Sequence, residues 1–557
     1  MLKLYYLFKF YYRPLVNIFL KKNFVKPYPN WNNLIGNNKF EDKNIKNKKK
    51  ILIATSTGGH RLALSTETLF GFSLKLKGAE VEFLLCDGVL NACSQCTHNM
   101  FSSNKEFIFL GSKKICSACW PIGKEALKKS FYKLNKFSDF IKKSDMEKVD
   151  QIVSKTKINE IKKFTIEDIN IGEHANSGVL RYFAKGSIIN TNEENDIYVK
   201  YFKSALITYF MAKNLFSEKK FDIVVLNHGI YTPQGVISDV AKKFNVKVVT
   251  WYTSYRKKTV TLSHKNTYHK TLLNDEYKDW EKIELDNDKL KKIDKYLLSR
   301  RQGNDDWIYF QHKNQNFEID KYFKNNNIDT SKKIVSIFTN VVWDAQLYYE
   351  QNIFSNIVEW CNESIDYLKD KNLTVLVRIH PAEITGTPKS NQKMYNEIIK
   401  KFKKLPSNVH IIHPEDSINS YSIIDKSSLC LVYASNIATE ISALGKPLIV
   451  GGEAYIKNKG IVTDPSSKIE YFELIEKLLN KPIIDKNKIL RAKKYAYYFY
   501  FQRMITIDLL DIRDYKFSNF EINKDKINQM LKGEHFDKGL EVISEGILNG
   551  KEFIYDA

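Results

Sequence analysis

The sequence is poor in residues that interrupt or staple a backbone. Proline accounts for 12 of its 557 residues and cysteine for 7. So little proline excludes a collagen-like or proline-rich extended chain. So few cysteines, with no secretory leader pattern at the start, exclude a disulfide-stapled scaffold and point to a reducing compartment. No apolar run reaches the ~20 residues that cross a bilayer. Acid is scarce beside base: 64 Asp or Glu face 87 Lys or Arg, for a net charge of +23. That excess suits an acidic partner such as nucleic acid, a phosphorylated substrate or an anionic membrane surface. Abundant Lys, Asn, Ile and Tyr equally fit a compositional bias. At 43% hydrophobic and 27% charged residues, the chain reads as folded, with length for two to four domains.

The charge is concentrated. Residues 1–50 hold twelve Lys or Arg against Glu41 and Asp42, and Met1 to Lys26 carries eight Phe or Tyr and no acid. Lys9, Arg13 and Pro14 interrupt its apolar stretch, so it reads neither as a signal peptide nor as a span. Basic and aromatic residues together suit the anionic inner leaflet, which places the protein in the cytoplasm and peripheral to the membrane. The competing reading is a helix packed on the protein's own body. Residues 27–50, rich in Asn, Lys and Pro, read as a linker.

From residue 51 the pattern alternates. Ile51 to Thr55 is a short apolar strand, Ser56-Thr57-Gly58-Gly59-His60 a turn, residues 61–77 a helix with Leu62, Leu69, Phe72 and Leu76 on one face, and Val81 to Leu85 the next strand. Such β-α-β units imply a parallel sheet. The grammar returns at Asp222–Leu226, the turn Asn227-His228-Gly229, a helix over 233–244 and a strand over 246–250. A second alternating block begins at Ile334, with strands at 334–338, 374–379, 409–412, 429–433 and 447–450 and helices between them. The expected organisation is a basic segment (1–50), a first Rossmann-like domain (51–330) carrying a cysteine-rich insert (86–119), a second Rossmann-like domain (331–485), and C-terminal helices (486–557). Two parallel α/β domains leave a cleft, and ligands in such folds bind beyond the carboxyl ends of strands.

Four constellations fall there or nearby. Cys93-x-x-Cys96, nineteen residues, then Cys116-x-x-Cys119 has the spacing of a tetrahedral four-thiolate knuckle, so these cysteines predict a structural zinc site, with an iron–sulfur cluster as the alternative. His60, after two glycines that let a ligand approach the backbone, is a general-base candidate. Arg378 and His380 alternate with Ile379 at a strand end, and Pro381 stiffens the loop, so both side chains are expected to face a phosphate. Ser435 reads as the N-cap of a helix whose free N–H groups would take phosphate, with Thr439 in its first turn and Glu440 placed to hold ribose hydroxyls.

Together these elements resemble a GT-B glycosyltransferase. The Gly58-Gly59-His60 loop is similar to its acceptor-side loop, and Ser435 to Glu440 followed by Ala443-Leu444-Gly445-Lys446-Pro447 resembles its donor-side nucleotide motif. His380-Pro381 resembles the HP motif of bacterial capsule-polysaccharide transferases and sialyltransferases. Cys86-Asp87-Gly88, Arg181-Tyr182-Phe183, Asn227-His228-Gly229-Ile230-Tyr231, Ser263-His264, Thr267-Tyr268-His269 and Trp343-Asp344 resemble segments of capsule biosynthesis proteins. The resemblance implies a nucleotide-sugar donor, favouring cytidine, bound by Arg378, His380, Ser435, Thr439 and Glu440. It also implies a glycan or lipid-linked glycan acceptor, further base candidates in His228 and Asp87 beside His60, and chemistry that needs no catalytic metal. Alternatives are a nucleotide-sugar 2-epimerase and a non-catalytic assembly scaffold. A nucleic-acid partner is not expected, because the cysteine insert lacks an arginine- and aromatic-rich face.

Overall fold

The computed structural model describes residues 28–36, 48–274, 278–310, 314–345, 352–481, 485–512 and 520–556. The basic aromatic segment Met1–Lys26 and residues 37–47 of the expected linker lie outside the described residues. In chain order the strands of the two larger sheets are β1 (Lys50–Ser56), β2 (Glu80–Leu85), β3 (Lys133–Lys136), β4 (Ile223–Asn227), β5 (Lys247–Thr253) and β6 (Thr259–His264). They continue as β7 (Ile334–Phe338), β8 (Thr374–Arg378), β9 (Val409–Ile412), β10 (Leu429–Val432), β11 (Leu448–Val450) and β12 (Ile505–Thr506). The first sheet has the order β12-β6-β5-β4-β1-β2-β3 and the second β11-β10-β7-β8-β9. β1 to β5 run parallel, with β6 and β12 antiparallel at one edge. The second sheet is parallel throughout.

Each parallel sheet is covered on both faces, which explains its unbroken apolar strands. In β1, Ile51 and Ile53 pack with Leu69, Phe70 and Phe72 of helix α1 (Arg61–Leu76). Leu52 and Ala54 point to the opposite face, where Tyr201, Leu206 and Met211 of α3 (Asn192–Glu218) cover them; α2 (Lys113–Lys128) lies between these helices in sequence. In the second unit, Val335 and Ile337 of β7 pack on Trp360 and Ile365 of α4 (Ile357–Leu368). Ile334 and Phe338 pack with Ile441 of α5 (Ile437–Ala443) and with Tyr495 of α6 (Lys486–Tyr497).

The chain does not divide as simply as its pattern suggests. Helix Asn287–Gln302, expected with the first unit, buries Ile293 and Leu297 in the cluster shared with β7, α5 and α6. The tail is not purely helical: after α6 it crosses back, adds β12 to the first sheet, and lays α7 (Lys538–Asn549) on α1. There Lys77 pairs with Glu541 at 2.6 Å, a part-exposed ion pair contributing at most about 1 kcal/mol. Burial of Leu540, Ile543 and Ile547, each worth about 1.5–3 kcal/mol, dominates the docking. Within the expected linker, Trp31 is fully buried, its ring stacked 5.1 Å from Phe72, so residues 31–35 belong to the folded body.

Both sheets have a switch in strand order. From β1 the chain proceeds through β2 to β3 on one side and through β4 to β5 on the other; from β7 it proceeds through β8 to β9 and through β10 to β11. The crevice at each switch opens beyond the carboxyl ends of β1 and β4, and of β7 and β10.

Candidate active site

The β1 and β4 ends are conformationally unusual. Ser56, at the end of β1, and His228, just after β4, both have left-handed backbones (φ 65° and 58°), an uncommon and costly state for these residues. The turn at Gly58 owes its glycine to packing rather than to a ligand: a β-carbon there would lie 2.5 Å from the Cys119 carbonyl oxygen and 2.8 Å from Cα of Gly123 on α2. His60 is the N-cap residue of α1, but its side chain makes no capping hydrogen bond.

Three histidines gather at this end of the first sheet, His60, His228 and His269, and none holds a proton readily. Burial is the main cause, and it pushes each down to about 4. His228 and Arg181 lower His60 further, while Asp344 pulls upward on His228 and His269. All three imidazoles are therefore neutral near pH 7. Among the described residues, buried Nδ1 of His228 and Nε2 of His269 have no hydrogen-bond partner, so each offers a nitrogen to a ligand.

A polar scaffold fixes the His228 turn. The His228 N–H donates to the Trp251 carbonyl at 2.9 Å and the Asn227 amide side chain to the same oxygen at 3.1 Å. The Asn227 N–H donates to Thr55 Oγ1 at 2.7 Å, and the Thr55 hydroxyl donates to buried Glu67, which also accepts from Trp251 Nε1 at 2.8 Å. Burial raises the Glu67 carboxyl to about 8 against those two hydrogen bonds, so it is largely protonated at neutral pH. Beyond the turn, His174 bridges the Ile230 carbonyl (2.6 Å) and the Asp239 carboxylate (3.0 Å). Burial opposes its charge, but Asp239 outweighs it and holds His174 above its ordinary value.

The second unit closes the cleft from the other side. Tyr231 Oη donates to Asp344 Oδ1 at 3.0 Å and accepts from the Ala345 N–H at 3.1 Å, and Tyr455 Oη lies 2.9 Å from His269 Nδ1. Asp344 and Ala345 follow β7, and Ala345 is again left-handed (φ 48°). His380 follows β8. Its N–H donates to Thr339 Oγ1 at 3.1 Å, its Nδ1 accepts from the Ala382 N–H at 3.0 Å, and burial pushes it down to about 4. Its ring meets Phe310 edge-on at 5.7 Å.

Other expected residues are placed differently. Arg378 is buried, donating from Nη1 to the His413 carbonyl at 2.5 Å and from Nη2 to that of Asp416 at 3.2 Å, so its guanidinium is engaged within the second unit. Ser435 is not the N-cap; Asn436 is, and without a side-chain capping bond. Thr439 is buried, reaching only Asn436 Oδ1 at 3.5 Å. Glu440 is also buried. Its carboxylate pairs with Arg300 Nε at 2.9 Å and accepts from Tyr421 Oη and, at 3.2 Å, Tyr500 Oη. Asp87 accepts from the Ser138 N–H at 3.1 Å and from its hydroxyl, which ties it to the end of β3. Sequence reasoning gave no role to His269, Asp344, Tyr231, Tyr455 or Glu67. A signal existed for Asp344, which lies in the loop after the first strand of the second unit, where the switch rule looks. His269 carried one in the Thr267-Tyr268-His269 resemblance, whereas Tyr455 offered none, because only tertiary packing brings it to His269.

The cysteines group in an unexpected combination. Cys86, Cys93, Cys116 and Cys119 line one cavity of about 20 Å³ with Leu90, Ile115, Trp120 and Pro233. Cys96 does not; it is 1% exposed within the apolar cluster around Phe107 and Tyr201. Among the described residues no three His, Cys, Asp or Glu side chains converge closely enough to hold a single metal ion. No helix of the described residues is long and apolar enough to cross a membrane.

No family model and no curated protein matches the sequence. Among solved structures, the chain is similar to the β-Kdo 2,4 transferase KpsC of Thermosulfurimonas dismutans (12% identity over 56% of this chain and 87% of that one, TM-score 0.34). It is also similar to the β-Kdo 2,7 transferase KpsC of the same organism (15%, 58% and 90%, TM-score 0.31). A third is the UDP-GlcNAc 2-epimerase of Neisseria meningitidis bound to UDP-GlcNAc (12%, 90% and 100%, TM-score 0.28). At such values these likenesses assign neither activity nor ligand to the chain.

Proposed function

We propose that the protein is a GT-B glycosyltransferase that moves a sugar from a nucleotide donor to a hydroxyl acceptor in bacterial surface-polysaccharide assembly. The observation that carries this reading is the meeting of two strand-order switches across one cleft, joined by Tyr231–Asp344 and Tyr455–His269, with neutral histidines between them. The motif resemblance of the His60, His228, His380 and Ser435 segments supports the same reading.

In this reaction the bond from the sugar's anomeric carbon to the donor phosphate oxygen breaks, and a bond to the acceptor oxygen forms. His228 is the base we assign. Its unpartnered Nδ1 takes the acceptor proton, its backbone is fixed through Asn227 and Trp251, and its neutral state leaves the lone pair free. A pKa of about 4 would make a feeble base, but the negative phosphates of a bound donor raise it toward the useful range. The leaving phosphate gains charge at the β8 and β10 ends, where His380 stands and where Ser435 and Asn436 lie partly open. Arg378 and Glu440 brace this wall from within. The cluster offers three histidines with Asp344 rather than the several carboxylates an epimerase would require, which favours transfer.

A thermal-shift screen tests the reading: wild type and His380→Ala against CMP, CDP, UDP, UDP-GlcNAc and GDP. A bound nucleotide raises the melting temperature by mass action. A cytidine-selective rise lost in the variant is the expected result. A uridine-selective rise would favour the epimerase reading, and no rise with any nucleotide would favour a non-catalytic scaffold.

A further inference from the structure

His174 lies behind the reacting wall, and the transfer described above does not use it. It belongs to helix Ile171–Phe183 and is 5% exposed. Its Nδ1 stands 2.6 Å from the Ile230 carbonyl and its Nε2 3.0 Å from Asp239 Oδ2. Both partners are acceptors. A carbonyl cannot donate, and the other oxygen of Asp239 accepts from Lys242 Nζ at 2.9 Å, the contact of an ionised carboxylate. A neutral imidazole carries one N–H and would satisfy only one of the two partners. Both nitrogens therefore hold protons, and His174 is an imidazolium behind the neutral His60, His228 and His269. The site is shaped to that ring: a β-carbon on Gly235, in helix Gln234–Lys243, would lie 2.2 Å from Nδ1. The Gly235 N–H donates to the Tyr231 carbonyl at 2.8 Å and the Ser94 N–H to that of Thr232 at 2.9 Å. Three consecutive carbonyls of one turn, those of Ile230, Tyr231 and Thr232, are thus each taken by a different segment.

We propose that His174 is a positioning residue: as an imidazolium it locks the Ile230 carbonyl, and through it the turn that carries His228 and Tyr231, and loss of its proton releases that turn. Ile230 is two residues beyond His228, and its carbonyl shares a peptide with the Tyr231 N–H. The lock therefore sets both the aim of His228 and the reach of Tyr231 Oη to Asp344. Nε2–H faces an ionised carboxylate, so the proton lost is the one on Nδ1, and it passes to solvent. Lone pairs of Nδ1 and of the carbonyl then face each other at 2.6 Å, and the turn must move. The charged groups facing His174 are Asp239 and Lys242 on helix Gln234–Lys243 and Glu173 on its own helix. From α3, Tyr198 reaches Asn176 and Tyr201 packs on Gly178, and burial keeps both phenols protonated. Burial opposes the imidazolium, but Asp239 outweighs it, so the ring titrates above its ordinary value. The lock is complete below about pH 6.5 and is lost as pH rises through the folded value. Its consequence for transfer rests on the function proposed above; the lock itself does not.

The test follows the ring nitrogens of the full chain, carrying isotope-labelled histidine, by NMR from about pH 6 to 9, with His174→Asn and His228→Ala assigning the two signals. At the acid end His174 should show two protonated nitrogens and His228 one. Both signals should then shift with a common midpoint above about 6.5. His228 itself titrates near 4, so its shift in this range reports a neighbour. Glu67 titrates near 8 and also braces the turn, and Asp239→Asn separates the two. That variant should lower the His174 and His228 midpoints together by about 1 pH unit or more, and it serves equally should His174→Asn fail to fold. Across the same midpoint kcat for transfer should fall several-fold with donor KM unchanged. In His174→Asn, whose amide can still donate to Ile230, that pH dependence should vanish. A single protonated nitrogen on His174 at the acid end would overturn the imidazolium. A His228 signal that ignores the His174 midpoint, or a kcat that stays level across it, would overturn the positioning role. Coupled signals in a protein without transfer activity would support the lock and refute the transferase reading alone.

Discussion

The two walls of the cleft share one grammar, a parallel sheet with a switch in strand order, yet the polar side chains that the sequence marks at their strand ends are partnered differently. The first unit leaves ring nitrogens of His228 and His269 unpartnered and holds Ser56 and His228 in left-handed backbones. The second unit spends its charges internally: Arg378 on carbonyls, Glu440 on Arg300, Tyr421 and Tyr500. Unpartnered, strained groups are what a reaction can use, whereas saturated ones hold shape. The difference teaches that residue type at a strand end does not by itself separate reagent from brace.

The sharpest way to break this contrast is His228→Ala. Transfer should fall by about 10²–10⁴-fold, the contribution of a positioned base, while urea unfolding shows stability within about 1 kcal/mol of wild type. A variant that retains full rate would move the base elsewhere. The mirror experiment is Glu440→Ala. Removing one member of a buried charge network should cost about 3–5 kcal/mol in unfolding free energy, read from the shift in urea midpoint. A cost below about 1 kcal/mol would mean that Glu440 is not a brace.

Acid and base should act on the walls differently. His60, His228, His269 and His380 are each held near 4, against an ordinary value of about 6.5. As pH falls from about 6.5 to 4 the unfolded chain takes up protons that the folded one refuses, so stability falls. Glu67, raised to about 8, has the reverse sign: its contribution is complete below about 4.5 and is lost as pH rises through 8. Four histidines outweigh one carboxyl below about 6.5, and above it Glu67 remains, so melting temperature should peak near neutrality. Glu67→Gln should flatten the alkaline side, and an unchanged slope in that variant would refute the assignment. The smallest effect is expected from Asp344→Asn, which keeps an acceptor for Tyr231 Oη but removes the charge facing His228 and His269. Stability should change by less than about 1.5 kcal/mol, with transfer reduced several-fold.

Much of the framework was legible. Strands such as Ile51–Thr55 and Ile334–Phe338 are apolar runs flanked by turns, and burial on both faces leaves little else they could be. β3 was not legible: Lys133-Leu134-Asn135-Lys136 sits at a sheet edge, where lysines are common and the apolar signal is thin. Trp31 was hidden among asparagines, because one aromatic stacking on a distant ring leaves no periodicity. At the site, the switch rule located His60 and His228. The engagement of Arg378 with the His413 and Asp416 carbonyls was not legible, because those acceptors lie beyond the next strand in sequence. The partners of Glu440, Arg300 and Tyr500, were not legible because they come from distant segments that no local pattern ties to it.

The most direct test of the central claim, that neutral histidines await a donor's phosphates in this cleft, is calorimetric titration of the nucleotide selected by the thermal screen at about pH 6, in two buffers that differ in ionisation heat. The account predicts net proton uptake on binding, because the phosphates raise imidazoles that the empty cleft holds near 4, and predicts that uptake shrinks in His228→Ala. Binding with no proton uptake, or uptake unchanged in that variant, would contradict it.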